Sequence, residues 1–145
     1  MRDHLLELFA YDRWANALWI DYLSGRESTA EEMEQMAHLL GSQTMWITRV
    51  GGVSPTEFVL PEPTLATLDE LNQRWRSALT ERELAEVINY KRTTGEALSL
   101  SLKQIASHVI NHGTYHRGVL RGIALLEDRW DFPDTDLANF YTGVS

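Results

Sequence analysis

The sequence predicts an all-α protein, a four-helix bundle with a long loop between helices two and three and a short β-hairpin before helix four. Three observations carry that reading. Apolar residues recur in steps of three and four over four long windows, the signature of helices with one buried face. Three windows open on a Thr or Ser followed three residues later by Glu or Gln, the capping-box pattern of a helix start. Between the second and third windows stand Pro55, Pro61 and Pro63, which exclude regular helix.

The first helix is expected from Asp3 to about Ser24, with Leu5, Leu8, Tyr11, Ala15, Leu18 and Tyr22 as its apolar stripe and Gly25 as its stop. Thr29-Ala30-Glu31-Glu32 opens the second, which runs to about Val50 before Gly51-Gly52. The stretch 51–67 is expected as a loop, long enough to form a lid or to wrap the bundle. Thr67-Leu68-Asp69-Glu70 opens the third helix, through Leu71, Trp75, Ala78 and Leu79 to about Leu84. Then the period changes. Val87, Ile88 and Tyr90, the turn residues Thr93-Thr94-Gly95, and Leu98 and Leu100 read as a hairpin that must lean on the helices to be stable. Ser101-Leu102-Lys103-Gln104 restarts a helix carried by Ile105, Val109, Val119, Ile123 and Leu126 to about Asp128, and Asp134-Thr135-Asp136 announces one short helix in the tail. The whole chain, 1–145, is expected to form one domain of ordinary size. Such a bundle can hold a metal ion between facing helices.

Composition narrows the chemistry. With no cysteine, the chain has no disulfide, no thiolate ligand and no thiol nucleophile of its own. Its net charge is −8, with no run of basic residues, which argues against nucleic acid as a partner. The opening MRDHLLELFAYDRW lacks the apolar core and cleavage site of a signal peptide, and no stretch approaches the roughly 20 apolar residues of a membrane span. The expected compartment is the cytoplasm.

Imidazole is concentrated in one place. Of five histidines, His108, His112 and His116 fall four residues apart on the fourth helix, and the others are His4 and His38. Residues four apart share a helix face at about 5–6 Å between Cβ atoms, close enough for two rings to converge on one ion. Residues eight apart are separated by roughly 12 Å along the axis, too far for bonds of about 2.0–2.1 Å to a common ion. One adjacent pair can therefore ligate, His112 belongs to both possible pairs, and spacing leaves His108 and His116 tied. A third ligand must come from elsewhere, and His38, in mid-helix, is better placed than His4. On the helical wheel the apolar stripe runs through Met33, Ala37, Leu40, Thr44 and Ile47, whereas His38 shares another face with Ser42, Trp46 and Arg49. The competing reading is that these rings sit on half-buried helices, bonded to backbone or water.

Several segments resemble the DinB-like (YfiT-type) metalloenzyme family: Tyr11-Asp12-Arg13-Trp14-Ala15-Asn16, His38-Leu39-Leu40-Gly41 with Trp46 and Arg49, Tyr90 to Gly95, the run from His108 to Gly118, and Pro133 to Leu137. The resemblance spans nearly the whole chain. It implies a four-helix bundle, commonly a homodimer, with a divalent metal held by His38, His112 and His116, and it leaves His108 in a supporting role. One departure is Val119, where family members often carry Gln. Three neutral imidazoles leave a coordination place open, the pattern of a catalytic site, and all-nitrogen ligation suits zinc or nickel. Asn111, Thr114 and Tyr115 are candidates to orient the rings, although capping or packing is the stronger reading for each. Arg49 and Arg117 read as surface or interhelical ion-pair residues, and Tyr11, Trp14, Trp46 and Trp75 as mainly core. The implied function is metal-dependent transfer of a small thiol to an electrophile. The alternatives are metal-dependent hydrolysis through the same ligands, or a non-catalytic dimeric metal-binding protein. No residue stands out as a general base, because the acidic residues lie mainly near helix starts or on exposed faces.

Overall fold

The computed structural model describes residues 1–143. Its elements are α1 (Arg2–Ser24), α2 (Ala30–Val50), α3 (Leu65–Glu81), β1 (Val87–Lys91), β2 (Ala97–Ser101), α4 (Leu102–Leu126) and α5 (Leu137–Thr142). The expected all-α bundle with its hairpin is what forms.

Two of the three predicted capping boxes are complete. Thr29 and Glu32 exchange side-chain and backbone hydrogen bonds at the start of α2, and Ser101 and Gln104 do the same at α4, so orphaned amide donors are satisfied at both ends. The third start lies one turn earlier than expected. Thr64, directly after Pro63, caps α3 by accepting from the Thr67 amide. Thr67 is thus inside the helix, because its residue signal was repeated three positions upstream. The same helix ends at Glu81, with Arg82 in extended backbone, rather than near Leu84.

Each of α1 and α2 packs against both α3 and α4, while α1 and α2 barely touch. The five residues 25–29 therefore link helices that lie diagonally across the bundle. Phe9 stacks on Trp75 at 5.1 Å between ring centroids, and Arg13 pairs with Asp69, so α1 and α3 run antiparallel. The core holds Leu5, Phe9, Trp19, Met36, Leu40, Leu68, Trp75, Leu79, Ile105 and Leu120, each at most 1 % exposed. In α1 the predicted stripe is displaced: Leu8, Leu18 and Tyr22 are half-buried, and Phe9, Trp19, Ile20 and Leu23 carry the burial. A helix touching two neighbours buries a wider face than a single stripe.

The expected hairpin forms, with Tyr90 paired opposite Leu98. Ile88 and Tyr90 point inward and Val87, Asn89 and Lys91 outward, the alternation a one-sided sheet requires. Gly95 turns the chain at φ +91°, where a side chain would be strained. No helix among the described residues is long and apolar enough to cross a membrane.

A polar layer crosses the apolar core between α1 and α4. Asp12, 1 % exposed, accepts from Asn16, Gln43 and Arg117 at 3.0, 2.6 and 3.1 Å. Arg117 also donates to Asn16 Oδ1 at 2.7 Å, to the Tyr11 hydroxyl and to Thr114, and Tyr11 donates to the Thr135 carbonyl at 2.7 Å. Gly113 makes room for the pair, since a Cβ there would stand 2.9 Å from Asp12 Oδ1. Arg117 is thus the interhelical ion-pair residue the sequence suggested, but a fully buried one.

Candidate metal centre

The face of α2 that bears His38 turns toward α4. Gln35 meets His116, His38 lies between His112 and His116, and Trp46 meets His108, so the two helices cross in opposite directions. That antiparallel crossing decides which pair on α4 faces His38. One ring nitrogen from each of His38, His112 and His116 lies within 4.8 Å of the others. His108 sits one turn farther along, its ring edge-on to Trp46 at 5.2 Å, and His4 is exposed on α1, apart from the group.

The trio fits a divalent ion. Tetrahedral ligation with bonds of about 2.0–2.1 Å implies nitrogens roughly 3.3 Å apart; the Nε2 atoms of His112 and His116 are already 3.1 Å apart. His116 Nδ1 donates to the Gln35 side-chain oxygen at 2.9 Å. With its proton on Nδ1, neutral His116 presents the Nε2 lone pair to the centre, the arrangement by which outer hydrogen bonds fix a ligand's tautomer. Burial, with repulsion from His116, His108 and His38, pushes His112 down to about 4. Burial and then His38 lower His116 as well. These rings are therefore uncharged at neutral pH, as metal ligation requires.

The orienting group escaped sequence reasoning. Gln35 lies three residues before His38 on the same helix, a spacing that places both toward one neighbour, but nothing short of the packing shows that α4 is that neighbour. The three candidates named from sequence do other things. Thr114 bonds the Ile110 carbonyl and accepts from Arg117, Asn111 is exposed, and Tyr115 places its exposed ring edge-on to His116 at 5.0 Å.

The long loop completes the surroundings. Ser54 accepts from the Lys91 amide and pins the loop to β1. Farther along, the loop crosses α2 at Gly41, where an added Cβ would stand 2.7 Å from the Val59 carbonyl oxygen and 2.9 Å from the Phe58 ring. This close approach stacks Phe58 on His38 at 4.9 Å. Gly41→Ala must push backbone as well as a ring, so we expect a loss of about 1–3 kcal/mol, read by chemical denaturation. A stability equal to wild type would show that the loop does not rest on α2.

Beside the trio a cleft of about 700 Å³ opens between α2, α4 and the hairpin, lined by His38, Ser42, Trp46, Arg49, Phe58, Tyr90, His108 and His112 among others. The second face of α2, which the helical wheel set apart from the apolar stripe, is the wall of this cleft. Trp46 lines it instead of filling the core, Trp75 is core, and Trp14 is half-buried. No Asp or Glu among the described residues lines it.

A family model described as the DinB family matches residues 1–123. No curated protein and no solved structure matches the chain.

Proposed function

The chain belongs to the DinB family, and on that premise we propose that it is a divalent-metal-dependent enzyme that joins a small thiol to an electrophile. The observation that supports this most is the convergence of His38, His112 and His116 beside a cleft large enough for an organic ligand. His38, His112 and His116 would hold a divalent ion, zinc or nickel by its all-nitrogen ligands, and such an ion would supply the acidity that deprotonates a coordinating thiol and lowers the pKa of water toward about 7.

The chain's own residues supply the rest. Gln35 holds the His116 proton on Nδ1 and keeps Nε2 free. Phe58, Trp46 and Tyr90 wall the cleft and shed water from the ligand's apolar part. No carboxylate among the described residues lines the cleft and the chain has no cysteine, so no protein thiol competes for the nucleophile's role, and the one side-chain base at the cleft outside the trio is His108. We expect small molecules rather than nucleic acid or membrane as partners, and a homodimer in the cytoplasm as the working form.

The test is an assay of metal-loaded protein with an activated aryl chloride and N-acetylcysteine, in which a C–S bond forms and chloride and a proton leave. The expected result is thiol-dependent conjugation lost in His112→Ala. Full-rate consumption of the aryl chloride without thiol would instead identify a hydrolase using the same ligands.

A further inference from the structure

The position of Arg49 contradicts its sequence reading. It is neither on the surface nor in an ion pair. The residue is 8 % exposed, its guanidinium carbon lies 4.6 Å from the Trp46 ring centre and 5.0 Å from that of Tyr90, and its buried Nε has no hydrogen-bond partner. Burial is the main influence lowering its pKa, and no carboxylate among the described residues offsets it. The other buried charges are matched. Arg117 has Asp12, and Glu32 has Arg26 and Arg129.

A largely desolvated cation without a carboxylate is costly, the two aromatic faces recover only part of that cost, and, with Nε alone among its nitrogens buried without a partner, the guanidinium's outer end opens on the cleft. A neutral side chain of the same length would fill the position more cheaply, so stability does not explain a guanidinium there. Binding does. Arg49 lines the same cleft as His38 and His112, and the only other arginine at the cleft, Arg92, is already paired with Glu96 at 3.3 Å. Although the chain carries a net charge of −8, the local balance inside the cleft is one unpaired positive charge.

We infer that Arg49 anchors a carboxylate at the far end of the ligand whose other end reaches the three imidazoles. This deepens the metal-dependent reading and rests on it for the reacting end. A single unpaired guanidinium matches one negative charge and bonds a carboxylate through two parallel N–H donors. Arg49 follows His38 by 11 residues, roughly 16 Å along the helix axis. Its side chain leans back toward the helix N-terminus, which leaves a span on the order of 10 Å. The ligand is therefore extended and of small-peptide size, a thiol with a terminal carboxylate, lying along the Trp46 and Tyr90 rings.

The decisive experiment is titration calorimetry on metal-free protein, comparing 6-phenylhexanoate with its neutral primary amide, in wild type, Arg49→Met and His112→Ala. Metal-free protein separates this proposal from the metal reading, which fails or survives on metal content alone. We expect wild type and His112→Ala to prefer the carboxylate by about tenfold or more, as a charged hydrogen bond provides, and Arg49→Met to bind both probes equally. Equal binding by wild type, or a preference that persists in Arg49→Met, would overturn the proposal. The second readout is thermal. Without ligand, Arg49→Met should melt at or above the wild-type temperature; a marked fall would make Arg49 a packing residue and end the inference.

Discussion

His112→Ala is expected to bring bound divalent metal from near one equivalent per chain to background while leaving the fold intact, as read by metal analysis and circular dichroism of purified protein. The middle ring of the α4 row contributes one of three nitrogens, and its loss leaves His38 and His116 with no third histidine or carboxylate grouped with them among the described residues. Gln35→Ala should have a milder effect. It keeps all three imidazoles but frees the His116 tautomer, and changes of that kind cost about 10–100-fold in metal affinity. His108→Ala should leave metal content unchanged, because that ring packs on Trp46 outside the trio. The metal-free proteins should also separate by pH. A histidine with a pKa depressed on folding binds fewer protons folded than unfolded, so its contribution to stability is complete above the unfolded value of 6.5 and is lost as pH falls toward about 4. Wild type should lose stability across that window more steeply than His112→Ala.

Arg117→Met is expected to be the most destabilising single substitution outside the apolar core. It strands the Asp12 carboxylate, 1 % exposed, among groups that no longer balance its charge. Breaking one side of a buried pair costs about 3–5 kcal/mol, which for a chain of this size lowers the melting temperature by on the order of 10 °C. The Tyr11 hydroxyl and Thr114 would lose their bond to the guanidinium as well, loosening the tie from α1 to the tail at Thr135. Removing both charges in Asp12→Asn with Arg117→Met should recover part of the loss, because the stranded charge is then gone. A single substitution with wild-type stability would mean that the polar layer does not hold α1 to α4.

The bundle was legible because its signals are local. Apolar periodicity, the Thr29 and Ser101 boxes and the proline cluster each act within a turn or two of chain, and the structure places α2, α4 and the loop where those signals put them. Thr67 misled because Thr64 offers the same hydroxyl one turn earlier. Local signals could not show that α1 and α2 sit diagonally, nor that α2 runs past α4 in the opposite direction. That second fact matters most for the site. Spacing alone ruled out His108 and His116 acting on one ion together but could not choose between them; in the structure His38 lies opposite His112 and His116, while Trp46 takes the place opposite His108. The surroundings of Gln35 and Arg49 were hidden for the same reason. Each is an ordinary polar residue on a helix until the neighbouring face is known. Arg49 then proves to line the cleft with its Nε buried and unpartnered, and Gln35 proves to touch a ring on another helix.

X-ray absorption at the edge of the ion that copurifies with the protein tests the central claim most directly. The predicted spectrum has three imidazole nitrogens at about 2.0–2.1 Å and loses one of them in His38→Ala. A spectrum without imidazole scattering, or one that His38→Ala leaves unchanged, would contradict an ion shared between α2 and α4.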